Sequence, residues 1–571
     1  MTDRPNILLV LTDQQRFPPG YESDEIQRFR AEELPGEARL VNEGVSFQRH
    51  YVMSAACAPS RTSLLTGQYP SWHGVAQTDG VSKRADNAAI RWLEPDTVPT
   101  LGDWFRTAGY RTYYKGKWHV SHATIESPDG SGELQTLDSK GRPLDDNIRT
   151  WLDADLLDEY GFSEWVGPEP HGLGPQNTGT VRDPFTADET IDLLRRLDED
   201  DDSRPWLTVC SFLNPHDIAL FGIIALTQGL RYENRSVPPV ADAPTRHEDL
   251  STKPTCQQSY IDVWPKMYAP QPFIETHRRF YYQLQREVDA QLERVLDALR
   301  ASPAFENTII VFTSDHGDML GAHGGMHQKW HNAYDETTRV PLHVSSPLLP
   351  SGARTIDAPT SHADILPTLL GLAGIDQAAA LETLATTHTA VRPLAGRDLS
   401  SAIQGASTSQ PTEPVLFTTD DEISEGDDVP ASPVQRVVRK LGRYSTIAQP
   451  NHVETVIAEV DVNGEQHVVK FSRYHDDASF WTEPDVRDER LQDGGKLVTH
   501  TERAPDEFEL YDLTLDPHEE RNLVHPTLAD EHARELANRM HALLVAELDR
   551  KRVTPATGVV PGYRPPSATP A

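Results

Sequence analysis

Three short stretches, Asn6–Thr12, Trp206–Phe212 and Thr308–Thr313, are apolar almost without a break. A strand with one wet face alternates apolar and polar residues. A run of this kind suits a strand covered on both faces, as in a parallel sheet packed between helices. From Thr276 to Arg300, Phe280, Leu284, Val288, Leu292, Val295 and Leu299 recur at helical spacing, a stripe that reads as core packing. Thr97 to Tyr114 reads as a helix stopped at Gly109 and leading into a further strand. The chain therefore reads as α/β.

Each apolar run delivers polar residues to the same kind of place. Asn6–Thr12 ends in Asp13-Gln14-Gln15-Arg16, Trp206–Phe212 in Asn214-Pro215-His216-Asp217, and Thr308–Thr313 in Ser314-Asp315-His316-Gly317-Asp318. The carboxyl edge of a parallel sheet is where α/β folds bind ligands. Taken singly, Asp13 reads as a helix cap and His216 as a satisfied loop histidine. Together they assemble two carboxylates, Asp13 and Asp315, beside Gln14 and His316, a donor set suited to Ca²⁺, Mg²⁺ or Mn²⁺. After the Gly109 stop come Lys115-Gly116-Lys117-Trp118-His119; in an extended segment Lys117 and His119 point the same way. His327, Lys329 and His331 alternate similarly, although the interposed lysine and the spacing argue against zinc.

One further stretch carries a nucleophile. In Cys57-Ala58-Pro59-Ser60-Arg61-Thr62-Ser63-Leu64-Leu65-Thr66-Gly67, Pro59 suits a first helical turn and Gly67 a helix stop. Cys57 then lies at a helix N-terminus, which favours an anion, with Arg61 one turn on. A lone free cysteine is ordinarily a small buried hydrophobe. The whole phrase, Cys-x-Pro-Ser-Arg followed by Leu-Thr-Gly, resembles the signature of the sulfatase family.

That resemblance extends to Asn6–Arg16, Gly109–His119, Asn214–His216, Thr313–Lys329 and Glu509–Leu523. It implies an alkaline-phosphatase-like, mixed and mostly parallel sheet sandwiched by helices, plus a smaller C-terminal α+β domain with an antiparallel sheet. It implies that Cys57 is oxidised to formylglycine by a separate maturation enzyme and hydrated to a diol that attacks a small-molecule sulfate ester. One divalent cation, Ca²⁺ ahead of Mn²⁺ or Mg²⁺, would be held by Asp13, Gln14, residue 57, Asp315 and His316. Arg61 would fix the diol, and Lys117 and Lys329 would grip the ester. His216 would protonate the leaving alcohol, and His119 would help remove the diol's second proton. Many family members carry two adjacent aspartates where this chain has Asp13-Gln14. Gln14 beside this set also resembles the phosphonate monoester hydrolase and phosphodiesterase branch, which is the alternative activity. An inactive relative would have a broken polar cluster, and each cluster here is intact. A hydrolase using unmodified Cys57 would need a local histidine that the motif does not supply.

A length of 571 residues favours two domains. The expected division is a catalytic domain over 1–410 with a loop-rich insertion at 218–275, a C-terminal subdomain over 411–552, and a proline-rich tail over 553–571. In the second unit Val434–Ile447 and Glu454–Phe471 read as strands and 528–550 as a helix. The tail could be an arm wrapping a neighbouring copy, which would make a homo-oligomer. The 53 basic against 87 acidic side chains, net −34, argue against a nucleic-acid partner. Three cysteines, Cys57, Cys210 and Cys256, form no disulfide framework. With no signal-like h-region and no run long enough to span a bilayer, the expectation is a cytoplasmic protein without a membrane partner.

Overall fold

The first apolar run becomes the centre of a seven-stranded sheet. In chain order its strands are β1 (Asn6–Asp13), β2 (Val45–Phe47), β3 (Arg111–Gly116), β4 (Trp206–Pro215), β5 (Thr308–Ser314), β6 (Leu342–Ser345) and β7 (Arg354–Ile356). They lie in the order β3-β4-β1-β5-β6-β2-β7. β1 runs parallel to β4 and β5, and β3 parallel to β4, while β6 is antiparallel to both its neighbours. The computed structural model describes residues 4–80, 83, 85, 90–130, 132–170, 174–221, 236–268, 274–406, 411–423, 446–477, 487–490 and 497–551.

The period of two along β1 explains its unbroken hydrophobicity. Ile7, Leu9 and Leu11 enter one core with Leu64, Leu65, Trp104 and Leu366. Leu8 and Val10 enter another, with Leu194 of α2 (Gly179–Glu199) and Val288, Leu292 and Val295 of the 28-residue helix α4 (Ile274–Ala301). Both faces are covered, so both sets are apolar.

Between α2 and α4 the insertion is more ordered than its sequence suggests. Thr255–Tyr268 is a helix, α3, despite Pro265 inside it. Its Cys256, Tyr260, Val263 and Trp264 recur at helical spacing and bury into a core shared with the second sheet. The prolines at 254 and 265 mask that period in the sequence.

The second sheet is four-stranded and antiparallel, in the order β8 (Val415–Thr419), β9 (His452–Val462), β10 (Glu465–His475) and β11 (Glu507–Asp512). Asn463-Gly464 joins β9 to β10 with φ of 57° and 93°, the left-handed pair that a two-residue hairpin requires. One face takes Leu536, Met540 and Leu544 of α5 (Glu531–Lys551). From the other, Val415 and Phe417 pack with Tyr51, Val52, Ala55 and Ala56, the approach to Cys57. Residues 377–403 include two short helices whose Ala380, Leu384 and Ile403 join the first core. The strand expected over Val434–Ile447 falls, up to residue 445, outside the described residues, as does the 553–571 tail. Among the described residues no single helix is long and apolar enough to cross a membrane.

Candidate active site

Because β1, β3, β4 and β5 are parallel, their carboxyl ends share one edge and bring Asp13, Lys117, His216 and Asp315 together from four distant stretches. Gly116, just before Lys117, has φ 88°, and a Cβ there would lie 2.0 Å from Ser211 O. Only glycine lets β3 turn there. Across the edge lies α1 (Cys57–Thr66), buried along its whole length and closed by Gly67 at φ 63°, whose N–H donates to Ser63 O. Cys57 is its first residue, and Ser60 Oγ donates to Asp315 O.

Among the described residues one group of four could hold a metal ion. The ligand atoms of Asp13, Cys57, Asp315 and His316 all lie within 4.8 Å of one another. The two carboxylates are divided in function. Arg61 Nη2 and Lys117 Nζ donate to Asp13 Oδ2 at 3.0 and 2.5 Å, and Arg61 Nε donates to Asp315 Oδ2 at 2.8 Å. The other oxygens face inward: Asp13 Oδ1 is 3.9 Å and Asp315 Oδ1 3.7 Å from His316 Nε2. His316 Nδ1 lies 2.9 Å from Gly317 O, which can only accept, so Nδ1 carries a proton and Nε2 is left to face the cluster. Cys57 Sγ is 3.1 Å from His316 Nε2. Hard oxygens, one imidazole and residue 57 converging in a buried space are a donor set that fits a divalent cation.

The electrostatics follow from this layout. Burial works against ionising Asp13, but the neighbouring Lys117, Arg61 and His316 outweigh it and hold the carboxyl well below its usual range. Burial and the neighbouring Asp13 charge raise Asp315 instead. Two close carboxylates cannot both ionise freely. Burial and Asp13 push the Cys57 thiol up, yet Lys329, Lys117 and His316 together bring it well below the ordinary thiol value.

Gln14 sits at φ 73° just past β1. Its backbone N–H donates to Asp315 Oδ1 at 3.0 Å. Its side chain ties down the neighbouring loop: Oε1 accepts from Lys329 Nζ at 3.1 Å, and Nε2 donates to Asp318 Oδ2 at 2.5 Å and Gln328 Oε1 at 2.9 Å. The alternation of His327, Lys329 and His331 does not survive, because Gln328 and His331 adopt φ of 66° and 59°. His327 packs on Trp264 and His277, and His331 on Tyr260, leaving Lys329 alone to reach the site.

His119, at φ 56°, turns from the line of Lys117 toward Asp79, with Nε2 2.7 Å from Asp79 Oδ1. Burial lowers its basicity, but the hydrogen bonds to Asp79 and Cys57 win and raise its pKa to about 9. His216, half-buried, goes the other way: burial and then Lys117 bring it down to about 3. Several supporting groups were not marked by any sequence pattern. Glu169 Oε1 accepts the N–H groups of Trp118 and His119, each at 2.8 Å. Asp183 accepts from the N–H groups of Leu213 and Asn214, fixing the approach to His216. Asp79 and Glu169 lie in irregular segments, where no period announces which carboxylate turns inward.

A family model described as Sulfatase matches residues 5–375, well over half of the chain and the whole of this edge. The chain belongs to the sulfatase family. It is thus a hydrolase of the alkaline phosphatase superfamily. An uncharacterised sulfatase of Escherichia coli K12 is 28% identical over 399 residues, 66% of this chain and 69% of that protein. A choline-sulfatase of Rhizobium meliloti is 28% identical over 394 residues, 66% of this chain and 68% of its own. Among solved structures, a 2-O GAG sulfatase superposes with a TM-score of 0.57 at 21% identity, covering 96% of this chain and 93% of its own. The phosphonate monoester hydrolase of Silicibacter pomeroyi gives 0.55 at 20% identity and 97% of each chain. The two structural likenesses, covering 96% and 97% of this chain, span the second sheet as well as the first.

Proposed function

We propose that this site hydrolyses a small-molecule sulfate monoester, with residue 57, converted to formylglycine and hydrated, supplying the attacking oxygen. The observation that supports it best is the enclosure of Cys57, which heads a helix amid Arg61, Lys117, Lys329 and the Asp13–Asp315–His316 cluster. Such a place suits a nucleophile working on an anionic ester, where positioning and charge neutralisation are the main tasks. Asp13, Asp315, His316 and residue 57 would hold a divalent cation, with Gln14 Oε1 shared with Lys329. That cation, Ca²⁺ first by its oxygen-rich donors, would act as a Lewis acid on the ester oxygens. Lys117 and Lys329 would hold the sulfate group and orient its sulfur toward residue 57.

Gln14 supports a second reading, a phosphonate monoester or phosphodiester hydrolase, because a neutral amide in place of a carboxylate leaves the site less negative. The two are separated by kcat/KM for an aryl sulfate and an aryl phosphonate monoester on one preparation. Preference for the sulfate is expected. Preference for the phosphonate overturns the first reading in favour of the second.

The protons suggest how the two histidines divide the work. This division reverses the one the family resemblance implies, in which His216 is the acid and His119 the base. With Asp79 beside it, His119 is cationic at neutral pH and equipped to donate to an ester oxygen, whereas His216 is neutral in the free site and equipped to accept. Activity is then expected to fall as pH rises above neutral, with the limb at or below about 9 because the bond to Cys57 is lost once residue 57 is converted. Asp79→Asn removes the partner that keeps His119 charged, so the falling limb moves to lower pH, toward the ordinary value of about 6.5. A rate that climbs with pH through the same range would make His119 a base instead.

A further inference from the structure

Asp421 lies just beyond β8, past residue 375 where the family match ends, and its side chain is fully buried. Four donors converge on it from three separate stretches. Oδ2 accepts from Ala56 N–H at 3.3 Å and from Trp330 Nε1–H at 3.1 Å. Oδ1 accepts from Thr78 N–H at 3.1 Å and from Lys83 Nζ at 2.9 Å. Each stretch carries a group of the candidate site. Ala56 precedes Cys57. Thr78 precedes Asp79, the partner of His119. Trp330 follows Lys329 and places its ring 4.8 Å beneath that ammonium. The neighbours of Asp421 reinforce the seam: Thr418 N–H donates to Met53 O, Thr419 Oγ1 to Ala55 O, and Gln77 Nε2 to Asp420 O.

We infer that Asp421 is a positioning residue: one carboxylate of the second domain fixes the nucleophile, the Asp79–His119 pair and Lys329 relative to one another. The physical reason for a carboxylate is its acceptor count. Two oxygens with about four lone-pair directions take four donors at once, and its charge balances Lys83. An asparagine of the same shape has one acceptor oxygen, and its NH₂ would face two donors. The inference rests on this site being the catalytic one.

The test compares Asp421→Asn with Glu509→Gln. Glu509 is also a buried carboxylate of the second sheet receiving four donors, from Tyr334, Tyr474, Tyr511 and Gln257, none of them in the three stretches above. Both variants should unfold at lower temperature. Below that temperature only Asp421→Asn should lower kcat, on the order of 10²-fold, with KM changed far less, and only it should speed amide hydrogen exchange in peptides covering 53–57 and 77–80. A kcat within twofold of the parent, or unchanged exchange, overturns the proposal. So does an equal kcat loss in Glu509→Gln. If Asp421→Asn does not fold, Trp330→Phe deletes one donor while keeping a ring under Lys329; a fall in kcat supports the proposal and an unchanged kcat overturns it. A parent that cleaves neither aryl ester would overturn the ester reading, while the exchange measurement still decides whether Asp421 anchors these loops.

Discussion

Cys57→Ala is expected to lower kcat/KM on the preferred ester by at least about 10⁴-fold, the scale seen when a nucleophile is removed from an otherwise intact site. The substitution leaves the backbone of α1 in place, because alanine is the best helix former and the helix draws no side-chain cap from its first residue. It also leaves Arg61 on both carboxylates, so binding of the anionic group should survive better than turnover. The decisive comparison pairs activity with the mass of the peptide holding residue 57. Parent protein with the aldehyde mass should be active. Parent protein retaining the thiol should be as slow as the alanine variant. An active parent carrying unmodified Cys57 would remove the formylglycine step and leave a low-pKa thiolate as nucleophile, which the cations around Sγ would sustain.

Much of this site was legible because its residues sit at the ends of strongly patterned elements. A double-faced strand betrays itself by an unbroken apolar run, and in a parallel sheet the residues after such a run must meet at one edge. That logic reaches Asp13, His216 and Asp315 with no knowledge of three-dimensional contacts, and helix punctuation by Pro59 and Gly67 reaches Cys57 and Arg61. What it cannot reach is any group whose place is set by loop geometry. Asp79 and Glu169 orient His119 from segments without a period. Asp421 lies just past β8 of the second sheet, far along the chain from the Ala56 N–H it accepts. Gln14 illustrates the middle case: its position after β1 was plain, but its left-handed backbone turns the side chain toward Lys329, Asp318 and Gln328, contacts that alternation along a strand does not foresee. The same limit applies to α3, whose apolar period is interrupted by the prolines that ordinarily mark a loop.

Arg61→Met is expected to cost about 3–5 kcal/mol of stability, the usual result of breaking a buried ion pair from one side. Arg61 is fully buried, and its fork spans both carboxylates while Nη1 donates to Lys117 O at 2.9 Å and Ser211 Oγ at 2.8 Å. Asp13 would keep Lys117, but Asp315 Oδ2 would lose its guanidinium, leaving Gln14 N–H on Oδ1. Burial and Asp13 already raise Asp315, and removing the guanidinium raises it further. A carboxyl raised in the folded state is stabilising in its protonated form. Stability is therefore lost as pH rises from the unfolded carboxyl value, near 4, through the higher folded one. The loss caused by Arg61→Met should accordingly be larger at pH 8 than at pH 5, measured by denaturant unfolding in the presence of a chelator. Arg61→Lys should recover part of the stability and little of the activity, since one ammonium cannot meet two carboxylates and two further acceptors in the plane of a fork. An equal loss at both pH values would assign the contribution of Arg61 to packing and to its bonds with Lys117 O and Ser211, and would remove charge balance between Asp13 and Asp315 as its reason for being there.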